Sequence, residues 1–155
     1  LENSKQYEDK YCYVTIKKMY VQPQTVGNRE GLHIDGFLSD QRNFIWFDSI
    51  PTAVAVGKFN LSEDHHLSLE EIKEQVEKND YGSRMLRCNH LYELTQNCVH
   101  EPTENFKDSV VLRTFIKVTF SKELFNGFGN AWNYMIPHIK SNKNRSAERN
   151  HGTIY

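Results

Sequence analysis

A mainly β chain, folded as a two-sheet jelly roll with one inserted helix, is what three features of the sequence predict. Short runs rich in β-branched and aromatic residues recur from Tyr11 to Phe120, turn residues separate them at short intervals, and a single segment switches to helical spacing. Some eight short strands around one helix suit two packed sheets better than an alternating α/β wind.

Tyr11 to Val21 alternates aromatic and β-branched residues and stops before Pro23, which predicts a strand. Gln22 to Glu30, with Pro23, Gly27 and Asn28, reads as a loop. Gly31 to Phe37 reads as a second strand, Ser39 to Arg42 as a turn, Asn43 to Asp48 as a short aromatic strand, and Ala53 to Phe59 as another after Pro51. Leu69, Ile72 and Val76 recur at helical spacing, and Ser68 with Glu71 three positions later has the form of a capping box, predicting a helix over about 69–78 with Ser68 as its N-cap. Strand patterns resume at Met85 to Cys88, Leu91 to Leu94 and Cys98 to His100, with Pro102 expected to end the last. Val110 to Phe120 is the clearest strand of the chain. Phe125 to Asn130 is a turn cluster, and Ala131 to Ile139 allows a short C-terminal helix interrupted at Pro137.

The 155 residues fit one domain spanning 1–155, with a core at about 11–121 and a basic tail at about 140–155. Such a length buries roughly two-thirds of the unfolded surface without help from disulfides. A net charge of -1 with mixed signs excludes a chain that binds polyanions through its overall charge, so partner choice has to come from a site. Cys12, Cys88 and Cys98 are odd in number and irregularly spaced, which favours a reducing compartment, the cytoplasm by default. There is no membrane-spanning apolar run and no secretory signal, so no membrane partner is expected, and Leu1 in place of Met reads as a trimmed fragment. Lys140, Lys143, Arg145 and Arg149 make the tail a soluble end first and a phosphate-contacting, nucleic-acid-binding arm second.

His33 and Asp35 would share one face of an extended strand, setting an imidazole and a carboxylate toward one ligand. With 7 His and 20 Asp+Glu, about one His-x-Asp/Glu arises from composition alone, so the pair gains weight only from partners further along the chain. His100 comes a long interval later, at the end of a strand-like run, and Arg113 lies in the next strand. Two imidazoles and a carboxylate suit a divalent first-row metal such as iron, with three coordination positions left open. Cys98, two residues before His100, allows a Cys/His zinc site as the rival.

His-x-Asp, a long interval, His, then Arg on the following strand resembles the Fe(II)- and 2-oxoglutarate-dependent dioxygenases, a family built on the double-stranded β-helix, a cupin-like jelly roll. The resemblance covers about Tyr11 to Ser121, and Leu112 to Ser121 is similar to the family's C-terminal core strand. It implies His33, Asp35 and His100 as the iron ligands, O2 and 2-oxoglutarate as co-substrates, and Arg113 as partner of the far carboxylate of 2-oxoglutarate. A planar guanidinium can donate two parallel hydrogen bonds to that carboxylate and stays charged when buried. Lys107 and Lys117 are rivals to Arg113, with Lys117 on the same strand face; Tyr13, Tyr20, Thr119 and Ser121 are further hydroxyl donors to the co-substrate.

The implied activity is hydroxylation, or oxidative demethylation, of an unidentified substrate with release of succinate and CO2. That substrate is a small molecule, a peptidyl residue or a nucleobase, because specificity is carried by loops rather than by the fold. The alternative is a non-catalytic cupin-like jelly roll that binds a metal or ligand, against which Arg113 argues, since a mere metal binder has no need of it. A third reading is a nucleic-acid module using the basic tail, which strong salt dependence would mark.

Overall fold

The fold is that of a computed structural model, which describes residues 4–79 and 81–123. After a 3₁₀ turn at Ser4–Tyr7 come β1 (Tyr11–Val21), β2 (Arg42–Phe47), β3 (Thr52–Val56), α1 (His65–Lys78), β4 (Gly82–Met85), β5 (Tyr92–Leu94), β6 (His100–Pro102) and β7 (Val111–Ser121). A four-stranded antiparallel sheet has the order β1-β7-β2-β5 and a three-stranded one the order β4-β3-β6. His33 extends the smaller sheet by one residue, through an antiparallel bridge to His100 in which each backbone N–H donates to the other's carbonyl at 2.9 Å.

Taken in chain order, the segments fall in the larger sheet (β1), the smaller (His33), the larger (β2), the smaller (β3 and β4), the larger (β5), the smaller (β6) and the larger (β7). That exchange between two sheets is the winding of a double-stranded β-helix, a jelly roll. The described residues up to 122 form one compact unit. The expected turn cluster from Phe125, the Ala131–Ile139 helix and the basic tail lie outside the described residues. Among the described residues no helix is long and apolar enough to cross a membrane.

Alternation builds the core. On β2, Asn43, Ile45 and Phe47 are buried while Arg42, Phe44 and Trp46 are only partly so. Ile45 and Phe47 cluster with Leu94 of β5 and Phe115 of β7, and Leu86, Cys88, Tyr92 and Cys98 pack around them. Each such apolar side chain contributes on the order of 1.5–3 kcal/mol by leaving water.

Four expected elements are corrected. Gly31–Phe37 is not a strand: Gly31 (φ 90°) and Gly36 (φ 71°) adopt left-handed backbone that an extended chain excludes, so pairing is confined to His33 and a turn begins at Asp35. The helix starts earlier than expected, because Asp64 is the N-cap, its carboxylate accepting from His66 N–H and Leu67 N–H; Ser68 lies inside the first turn with its N–H bonded to Asp64 O. The strand expected at Met85–Cys88 is instead Gly82–Met85, set by the register Val56↔Gly82 to Ala53↔Met85. The strand expected at Cys98–His100 is instead His100–Pro102, which Pro102 ends as expected, as the last residue of an edge strand opposite Thr52, where proline is tolerated.

Candidate metal centre

Strand pairing brings the two histidines together. The His33–His100 bridge places side chains of directly opposed residues on one face, and the two imidazole centroids are 4.5 Å apart. Asp35 reaches the same spot from the adjoining turn. One ligand atom from each of His33, Asp35 and His100 lies within 4.8 Å of the others; among the described residues this is the group able to hold a metal, and Cys98 is not part of it.

The ring orientations suit ligation. His33 Nδ1 is 2.8 Å from Gly31 O, and His100 Nδ1 is 3.0 Å from Cys98 O. A carbonyl only accepts, so each Nδ1 carries the proton and each Nε2 keeps its lone pair for a metal, the usual outer arrangement of ligating histidines. His100 Nε2 lies 3.5 Å from Asp35 Oδ2, two electron-rich atoms that call for a cation beside them. Burial lowers the pKa of His33, partly opposed by its bond to Gly31 O, which keeps the imidazole neutral and available.

Asp35 is braced from both sides. Burial would raise its pKa, but the ammonium of Lys117, through its charge and its hydrogen bond, outweighs it and holds the carboxyl well below the usual range. Lys117 Nζ sits 2.7 Å from Asp35 Oδ2. On the backbone side, Asn43 Nδ2 donates to Asp35 O at 3.3 Å, and Thr119 Oγ1 donates to Asn43 Oδ1 at 2.6 Å. Gly36 is required here twice over: its φ is positive, and a Cβ would fall 2.8 Å from Gln41 Cβ and 3.1 Å from Asn43 Nδ2.

Arg113 lies two inward positions before Lys117 on β7, with Phe115 between, and is 1% exposed. Its Nε donates to Ser49 O and Ile50 O, both at 3.1 Å, and the guanidinium carbon sits 5.0 Å from the Phe115 ring centroid and 5.8 Å from that of Phe47. The two terminal nitrogens are buried and have no hydrogen-bond partner among the described residues. Burial lowers the guanidinium pKa, only partly offset by Asp48. A buried cation with four uncommitted N–H bonds is costly unless an anion completes it.

Of the other expected co-substrate donors, Thr119 and Ser121 face inward but serve the turn, Thr119 through Asn43 and Ser121 by donating to Asp40 Oδ1 at 3.2 Å. Tyr13 is half-buried opposite Thr119. Tyr20 is a correction: it leaves β1 on the outer face, 72% exposed, because an even position in a strand whose odd positions point inward cannot reach the interior. Lys107, one of the two lysine rivals, is exposed in the connection before β7. The roles of Asn43 and of Lys117 at the metal end were missed; the inward parity of Asn43, a polar amide in line with Ile45 and Phe47, is the signal that could have found the first.

No protein-family model matches the chain, and no curated protein does. Two solved structures are similar to it: a recombinant oxalate oxidase in complex with glycolate and an oxalate oxidase in complex with the substrate analogue glycolate. Each is 12% identical and covers 71% of this chain, with TM-scores of 0.33 and 0.34. The chain spans 43% of the length of those structures. The strand order, rather than so distant a likeness, identifies the jelly roll.

Proposed function

We propose that the protein is an Fe(II)- and 2-oxoglutarate-dependent oxygenase in which His33, Asp35 and His100 hold the metal. The observation that carries this is the pair of buried terminal nitrogens of Arg113, without a hydrogen-bond partner among the described residues and facing inward on the same strand as the lysine that grips Asp35. Arg113 and Lys117 are four residues apart, about 13 Å along an extended strand, so two cations with long side chains flank an interval suited to a dicarboxylate. A metal site without co-substrate needs neither.

Iron held here would let dioxygen serve as oxidant for both halves of the reaction, one oxygen atom going to succinate as 2-oxoglutarate loses CO2 and the other to a second substrate that is hydroxylated or oxidatively demethylated. The chain's own residues do the positioning. Arg113 takes the far carboxylate through two parallel charge-assisted bonds. Lys117, already at the metal end, neutralises the near carboxylate, which resolves the rivalry between these two residues into a division of roles. Phe47, Phe115 and Ile45 exclude water between the ends and strengthen both contacts. The test is succinate release from 2-oxoglutarate in air with added Fe(II). Release that requires both Asp35 and Arg113 supports the reading; release undiminished in Asp35→Ala contradicts the site.

A further inference from the structure

Directly paired residues across the smaller sheet form one row: His33 opposite His100, His100 opposite Val54, and Val54 opposite Arg84. Opposed residues in antiparallel pairs project from the same face. Arg84 therefore leaves the sheet on the side of the two histidines, two strand spacings or about 10 Å from His100.

There Arg84, Met85, Leu86, Arg87, His90 and Tyr92 line a cavity of about 490 Å³, which falls in the range of roughly 300–1,000 Å³ typical of small-molecule sites. An adjoining cavity of about 400 Å³ shares Arg84, Leu86 and Tyr92 and extends to Val54 and Cys98. Val54 is the ladder partner of His100, and Cys98 O accepts from its ring, so two residues lining the second cavity adjoin one of the metal-centre histidines. The charge along these cavities is one-sided. Among the described residues no acid lines the first cavity, and Glu93, which lines the second, is taken by Arg42 at 2.6 Å. Neither the Arg84 nor the Arg87 guanidinium has a hydrogen bond or ion pair among the described residues.

From this arrangement, and resting on the oxygenase reading above, we infer that the substrate is a small molecule bearing an oxyanion, phosphate or carboxylate, bound by Arg84 and Arg87. Two guanidinium forks match the oxygens of such a group, and Tyr92 lines both cavities. An anion held at Arg84, about 10 Å from His100 on the same face of the sheet, anchors one end of a molecule whose other end can reach the metal centre.

Calorimetric titration of the metal-free full chain with inorganic phosphate, and separately with acetate, tests this. The proteins compared are wild type, the double variant Arg84→Gln/Arg87→Gln, and, as a control for surface charge, Lys18→Gln at an exposed position of β1. Saturable binding of at least one anion is expected, weaker by about tenfold or more in the double variant and within about twofold of wild type in Lys18→Gln. Tighter phosphate assigns a phosphorylated substrate, tighter acetate a carboxylate. No saturable binding of either anion overturns the inference, as does binding that is undiminished in the double variant or falls equally in Lys18→Gln. Both arginines are exposed, so the double variant retains the fold, checked by circular dichroism. Because no metal or 2-oxo acid is present, the outcome is independent of whether the protein turns over 2-oxoglutarate.

Discussion

Lys117 Nζ lies 2.7 Å from the same Asp35 oxygen that is 3.5 Å from His100 Nε2, so an ammonium stands beside the carboxylate a metal would use. A metal dication must bind next to that charge. At a few ångströms and an effective dielectric near 20, such repulsion is on the order of a few kcal/mol before solvent screening. Lys117→Met is therefore expected to tighten Mn(II) or Fe(II) binding by about tenfold while weakening 2-oxoglutarate binding to the metal-loaded protein by about tenfold or more. Metal titration and then 2-oxoglutarate titration separate the two effects. Metal affinity that falls in the variant would show that the lysine supports the ligand instead of competing for it.

Arg113→Met removes a buried charge whose terminal nitrogens lack partners, along with two bonds to Ser49 O and Ile50 O. Relief of desolvation offsets the loss of those bonds, so stability should stay within about 2 kcal/mol of wild type. Stabilisation of the metal-loaded protein by 2-oxoglutarate should disappear. Thermal melting with and without the co-substrate reads both quantities, and a variant still stabilised by 2-oxoglutarate would remove Arg113 from the site.

Gly36 and Gly31 both have positive φ, but only Gly36 would press a Cβ against neighbours, at 2.8 Å from Gln41 Cβ; nothing lies within 4 Å of a Cβ at Gly31. Gly31→Ala should cost about 1 kcal/mol from backbone strain alone. Gly36→Ala should cost more than that and also weaken metal binding by about tenfold or more, because the turn it distorts carries Asp35. Denaturant unfolding and metal titration of the pair distinguish strain from displacement.

β1 runs over Tyr11–Val21 as its residue pattern indicates, because a long segment rich in β-branched and aromatic residues, without Gly or Pro, favours an extended chain throughout. β7 departs by one residue, and its inward parity was enough to place Arg113 and Lys117 on one face. The segment bearing His33 and Asp35 was illegible as a turn, since Gly36 is closed in by Gln41 and Asn43, which arrive from β2 and its approach. His33 and His100 meet only through a long-range bridge, which no local pattern encodes.

Helix capping failed for a related reason. Ser68 and Glu71 have the spacing of a capping box, yet Glu71 turns to Ser62, accepting from its N–H at 2.7 Å and from its hydroxyl, while Asp64 caps the first turn. Asp64→Ala should destabilise the protein by about 1 kcal/mol in denaturant unfolding. No loss on that substitution would return the cap to Ser68.

The most direct measurement is anaerobic titration of the chain with Fe(II) and then 2-oxoglutarate, monitoring the weak visible charge-transfer absorption of an iron-bound 2-oxo acid. The expected result is a saturable band in wild type, none in His100→Ala, and about tenfold or more 2-oxoglutarate required in Arg113→Met. Folded, metal-loaded wild type that develops no band would contradict the oxygenase and leave a jelly roll that binds metal without 2-oxoglutarate.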